Sequence, residues 1–256
     1  MVVSEDGILL ILSHFLWPLV RISGFFLVAP VYGSEMIPRP AKALLAMSMA
    51  GFVAWGHAGL PPLPGDVVAL TIMLAEQFFY GVLLGLVLQI VVSAIACAGE
   101  ICGLVMGLSF AQLQFRDSAG QTTVLYDLML WIGLMGFMAA GGPVWLMAAF
   151  FHSFDHGIAL PDPAVLGSMA AFGQTIFAEA VELALPVIVA GMTINLAVGI
   201  VSVFSPSLNL MSIGFPLMIY VCMAVFAASI PFFGDVIHSS IEKGMIYTSW
   251  MIHDVR

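Results

Sequence analysis

Five acids and one base sit inside stretches that are otherwise almost wholly apolar: Glu76, Glu100, Asp127, Glu179, Glu182 and Arg21. Inserting such a residue into a bilayer costs about 2.5–3.5 kcal/mol, so each needs a use. One use is a proton or cation relay. The other is structural: the group is paired, or it faces water or a partner subunit. A single base cannot pair with five acids, so most of these carboxylates are expected to face a polar interior or a partner. Arg21, Glu76, Glu100 and Glu179 are the intramembrane charges to locate.

The densest polar chemistry lies in "MGLSFAQLQFRDSAGQTT", residues 106–123. Its amides and hydroxyls (Gln112, Gln114, Ser118, Gln121, Thr122) are interleaved with Phe110, Leu113 and Phe115, and Arg116 sits at its centre. A solvent loop explains the amides but not the aromatics. Just upstream, "CAGEICGLVMG" places Gly99, Gly103 and Gly107 four residues apart, on one helix face. Glycines at that spacing let a second backbone approach closely, and Gly81 and Gly85 form another such pair. His152 and His156, with Asp155 between them, have metal-ligating spacing on a helix but no third ligand in view; a polar loop edge is the expected reading. Cys97, Cys102 and Cys222 lie in apolar stretches and read as small buried hydrophobes. No nucleophile–base arrangement, phosphate loop, dinucleotide motif or zinc-protease motif is present. Neither an enzyme nor a cofactor or metal site is expected.

What must position these residues is a membrane fold. The chain is 62% hydrophobic and 8% charged, with a mean hydropathy of +1.11. A soluble domain has about 45–50% apolar and about 25% charged residues. A bilayer core accepts only helices or closed barrels, and no strand alternation is sustained. The expectation is an all-α, polytopic integral membrane protein, a single membrane domain over residues 1–256. The net charge of −9 argues against nucleic acid and against docking on anionic lipid. There is no basic start followed by a small-residue cleavage site, so the first apolar segment is expected to be retained.

Six apolar regions run roughly over 8–32, 41–56, 67–106, 124–151, 174–204 and 208–233. A plain span needs about 20 residues, and these lengths do not fit. The third is too long. Gly141, Gly142 and Pro143 interrupt the fourth, which predicts two arms of a helical hairpin. Pro186 is expected to break or kink the fifth. Broken helices and hairpins, packed against other protein, are therefore predicted. Arg39, Lys42 and Arg116, three of the six Lys and Arg, agree with cytoplasmic loops at 33–42 and 107–123. Six crossings would then put Lys243 and Arg256 outside, against the same rule.

Three blocks together resemble one family. The first is "RISGFFLVAPVYGSEMIPRPAKALLAMSMA", the second "GEICGLVMGLSFAQLQFRDSAGQTTVL", the third "NLAVGIVSVFSPSLNLMSIGFPLMI". Their order and spacing are similar to those of the FliR family of flagellar export-gate proteins, over roughly residues 15–230. The third block departs from the family pattern: Val203 and Met218 stand where the family has basic residues, and Ser207 where it has Gln. The resemblance implies hairpins in a spiral assembly with FliP- and FliQ-like membrane subunits. It also implies other export-apparatus proteins as neighbours, and a place in the bacterial inner membrane at the flagellar basal body. Unfolded flagellar proteins are the implied cargo. The segment holding Phe110, Gln112, Leu113, Gln114, Phe115, Arg116, Gln121 and Thr122 would lie in the pore as a plug. A secondary transporter using midplane carboxylates such as Glu76 and Glu179 is the alternative, but the internal repeat typical of such folds is not visible.

Overall fold

The computed structural model describes residues 5–33, 37–56, 62–108, 124–155, 163–204 and 210–253. Among them, all regular structure is helical. The helices are α1 (Glu5–Val28), α2 (Arg39–Gly56), α3 (Val67–Val105), α4 (Val124–Ala139), α5 (Gly142–His152), α6 (Pro163–Phe204) and α7 (Leu210–His253). The all-α membrane class follows directly. Three helices, α3, α6 and α7, are long and apolar enough to cross a membrane, or four spans if α4 and α5 count as one bent span.

The long helices correct the sequence boundaries. With 39, 42 and 44 residues, they reach about 60 Å at about 1.5 Å per residue, twice the about 30 Å hydrocarbon core. The last two apolar regions were expected to be shorter. The helix of α7 runs past 233 because its polar tail keeps a buried stripe: Ile237, Ser240, Ile241, Thr248, Met251 and Ile252. Apolar continuity ends there but helical periodicity does not. Lys243 consequently lies within α7 and not in a flanking loop, so it no longer counts as a loop charge. Pro186 does not break α6, and α7 is likewise continuous through Pro216 and Pro231. Membrane helices tolerate such prolines because neighbouring groups take up the freed carbonyls.

The α4–α5 pair carries the interruption expected at the Gly-Gly-Pro sequence. Gly141 takes φ 70 and Pro143 starts the next helix, so the chain does interrupt as predicted.

The chain forms two compact units. The first takes α1, α2, α3 up to Ile90, α5, α6 up to Phe172 and α7 from Glu242. Here α1 and α3 run in the same direction with their backbones in contact. A Cβ added at Gly24 would meet the Phe78 carbonyl, one at Gly81 would meet the Arg21 carbonyl, and one at Gly85 would lie 2.9 Å from the Ala29 nitrogen. In this way the Gly81–Gly85 pair serves close packing. Helix α2 packs on α1 and buries Ala46, Ala50 and Val53 along one stripe. Helix α5 lies antiparallel to α1: Tyr32 bonds to Pro143, Phe25 meets Phe150 at 5.0 Å between ring centroids, and Arg21 bonds to Ser153.

The second unit holds α3 from Val91, α4, α6 from Gly173 and α7 up to Ile241. Two antiparallel hairpins build it. In one, α3 packs on α4, with Gly99 against Leu125 and Ile95 against Gly133. In the other, α6 packs on α7, with Gly191 beside Cys222 and Val198 beside Gly214. Gly136 of α4 meets Ile237 of α7, and Gly191 of α6 meets Val105 of α3. Small residues thus sit at the helix contacts, as membrane packing favours. Much of α6 and α7 is apolar and exposed, with Leu196, Val203, Phe204 and Tyr220 on the surface. Such a surface needs lipid or other membrane subunits against it.

Candidate functional site

Two places concentrate the residues singled out by the sequence. The first is the mouth of the α3–α4 hairpin in the second unit. The plug residues Phe110, Gln112, Leu113, Gln114, Phe115, Arg116, Gln121 and Thr122 lie outside the described residues. What is described is how the chain leaves α3 and enters α4. Helix α3 ends at Val105, and in the turn that follows, Gly107 has φ 75. Its N–H donates to the Leu104 carbonyl at 3.0 Å. That left-handed position favours glycine. The Phe215 ring of α7 lies against it: an added Cβ would be 2.9 Å from ring carbon Cε2.

Two turns earlier, Gly99 faces the start of α4. A Cβ there would run into the Leu125 carbonyl and come within 2.9 Å of the Met129 Cβ. Gly103, between them, is buried. The hairpin is therefore closed backbone to backbone just below the segment it carries. Gly99→Leu has no rotamer that escapes the Leu125 carbonyl, because the clash begins at Cβ. We expect it to cost more than about 3 kcal/mol, at the upper end of overpacking effects, and to abolish recovery of intact complex on a native gel. Complex recovered at wild-type yield would mean that the hairpin separates cheaply.

The carboxylates behave differently from one another. Glu100, on α3, is half-buried. Glu179, half-buried on α6, accepts a hydrogen bond of 2.5 Å from the Ser240 hydroxyl of α7. Both lie in the second unit. Glu76 is half-buried in the first unit, whereas Asp127 and Glu182 are exposed. At the end of α5, His152 Nδ1 lies 3.0 Å from Asp155 Oδ2, with both side chains largely exposed; His156 lies outside the described residues. Among the described residues no group of three or more His, Cys, Asp or Glu is placed to hold a metal ion.

The second place is Arg21, fully buried in the first unit. Its Nε donates to Gln77 Oε1 at 2.9 Å, and Nη2 donates to the same oxygen. Nη1 donates to the Ser153 carbonyl at 2.8 Å and to the Ser153 hydroxyl oxygen at 3.1 Å. The guanidinium lies over the rings of Tyr80 at 4.5 Å and Phe154 at 4.2 Å. Ser153 is the C-cap of α5, so the cation meets the negative end of that helix dipole. The planar fork and the two rings suit arginine and not lysine. Arg21 thus joins α1, α3 and α5. Of the uses weighed for the intramembrane charges, Arg21 shows the structural one: it is engaged by polar partners inside the unit.

The sequence reading missed Gln77, Tyr80, Ser153 and Phe154. A signal was available in "EQFFYG", where Gln77, Tyr80 and Gly81 fall on one face of α3. Glu76 carries the charge in that stretch, but the buried group is the Gln77 amide beside it.

The family described as bacterial export proteins, family 1, matches residues 12–244. The flagellar biosynthetic protein FliR of Escherichia coli K12 is 32% identical to this chain, covering 86% of the chain and 85% of that protein. FliR of Pectobacterium carotovorum is 31% identical, covering 86% and 85%. FliR of Aquifex aeolicus is 26% identical, covering 90% and 88%. A match running from α1 into the polar tail of α7, with relatives aligned nearly end to end, leaves one conclusion: the chain belongs to the bacterial export proteins of family 1, alongside the flagellar FliR proteins.

Proposed function

We propose that this chain helps form, and plugs, the channel of a flagellar protein-export gate. Membership of the family makes it a membrane subunit of the flagellar export apparatus and leaves the secondary-transporter alternative without support. The finer assignment is a single membrane domain in the bacterial inner membrane at the flagellar basal body, assembled with FliP- and FliQ-like subunits and passing unfolded flagellar proteins. The role is non-enzymatic.

One observation carries the channel reading. The most polar stretch of an apolar chain hangs from a hairpin whose helices touch backbone to backbone at Gly99 and Leu125. Rigid packing below and mixed amide–aromatic chemistry above suit a segment that seals a passage. The wide apolar faces of α6 and α7 supply surface for neighbouring subunits.

The test is co-expression. With FliP- and FliQ-like subunits from the same source, the chain should co-purify as one stable complex and restore export to a strain lacking its own relative. Expressed alone, it should be recovered poorly. A chain that is stable alone and binds neither subunit would refute the assignment.

A further inference from the structure

The turn after α1 is strained. Val31 has φ 69, the only non-glycine residue with a positive φ among those described. A β-branched side chain in that region is an outlier. The Tyr32 N–H donates to the Pro30 carbonyl at 2.8 Å. A bond from residue i+2 back to i, around a positive φ, defines the disfavoured form of the γ-turn. Glycine would sit there without strain, yet the sequence uses valine and places Gly33 two residues on.

Strain of this kind persists only where surrounding contacts over-determine the backbone. Two side-chain bonds do so here. Lys42, in the first turn of α2, donates from Nζ to the Gly33 carbonyl at 2.9 Å. The Tyr32 hydroxyl donates to the Pro143 carbonyl, in the first turn of α5, at 3.2 Å. Burial raises the Tyr32 phenol above its ordinary pKa, so it stays a donor. The Tyr32 ring also stacks on Phe26, with 5.6 Å between centroids. Helix α5 is therefore held at both ends, but unequally. At Ser153 the buried Arg21 makes two bonds. At Pro143 one part-buried phenol makes a single long bond, next to Gly141, whose Cβ position is open and whose φ is 70.

We propose that residues 29–33 form a strain-loaded latch on the first turn of α5, which opens when the export channel opens while Arg21 keeps the other end of α5 in place. The proposal rests on the channel reading above. Valine at 31 biases the latch toward release, and Tyr32 and Lys42 hold it shut. Two variants in one turn should then move export per complex in opposite directions, which a merely structural turn would not produce.

The experiment uses the full chain co-expressed with its partner subunits in a strain lacking its own relative. It reads the Tm of the purified complex and the flagellar protein exported per assembled complex. Val31→Gly removes the strain and should raise Tm by about 2–4 °C, while lowering export per complex about tenfold. Val31→Asn, which tolerates a left-handed backbone, should do the same to a smaller degree and covers a failure of the glycine variant to assemble. Tyr32→Phe should lower Tm and raise export per complex. A lower Tm for both Val31 variants would overturn the strain, and equal export from Val31→Gly and wild type would overturn the release. If the wild-type chain restores no export while the Tm shifts appear, the channel reading fails and release fails with it, but the strained turn stands.

Discussion

Removing about five residues centred on Phe115 is expected to leave the complex assembled and to make the membrane leaky to small ions. The argument is mechanical. Assembly depends on the helices, and the contacts that close the α3–α4 hairpin lie outside the deleted stretch: Gly99 on Leu125, Ile95 on Gly133, Val105 beside Gly191. Shortening a loop by a few residues changes its closure entropy by only tenths of a kcal/mol. The ends stay anchored, at Gly107 under the Phe215 ring and at Val124 where α4 begins. What is lost is the apolar seal of Phe110, Leu113 and Phe115, if the segment occupies the passage as proposed. Gln112→Ala or Gln114→Ala should leak far less, because neighbouring amides take over their hydrogen bonds. Conductance in reconstituted bilayers, measured beside complex yield, decides the matter. Full assembly without added conductance would return residues 109–123 to the status of a polar loop.

How much of this was legible in the sequence depends on the kind of signal. Composition and the absence of alternation gave the all-α membrane class, and "AAGGPVW" marked the α4–α5 interruption because glycine and proline act through local backbone geometry. The ends of α6 and α7 were missed. Apolar continuity was used as the marker of helix, and these helices continue as polar-faced segments with a buried stripe. Pro186 is expected to break or kink its helix, and α6 runs on through it; the breaking rule holds best in water, where no neighbouring helix compensates. The glycine spacing at 81–85 and 99–107 marked real close packing at Gly81, Gly85 and Gly99, but only the structure names the opposing backbones. Isolated charges drew attention correctly to Arg21. Its partners are neutral polar groups far away in sequence; the one local hint is the Gln77–Tyr80–Gly81 face of α3, which does not by itself name Arg21 as the group it meets.

Arg21→Met should be among the most damaging single substitutions outside the α3–α4 hairpin, with a loss of about 3–5 kcal/mol, comparable to breaking a buried ion pair. Methionine fills much of the volume and keeps helix propensity, so the loss reports hydrogen bonds and not a cavity. The change takes two donors from Gln77 Oε1 and two from Ser153. It also removes the cation between the Tyr80 and Phe154 rings and the positive charge at the C-terminus of α5. Arg21→Lys should be only partly better, since a point charge on a flexible stem cannot serve Gln77 and Ser153 together. The double variant Arg21→Met with Gln77→Leu supplies the internal check. Replacing both ends of a buried polar contact by apolar groups costs less than removing one end, so the double variant should unfold at a higher temperature than Arg21→Met alone, with a coupling of about 1–3 kcal/mol. Thermal unfolding of the purified complex measures all three. An Arg21→Met complex with wild-type Tm would show that α1, α3 and α5 are held by the Gly24 and Gly81 crossing and by the Phe25–Phe150 contact alone. A double variant worse than either single one would mean that Gln77 is held by other groups in its own right, so that Arg21 serves chiefly as the cap of α5.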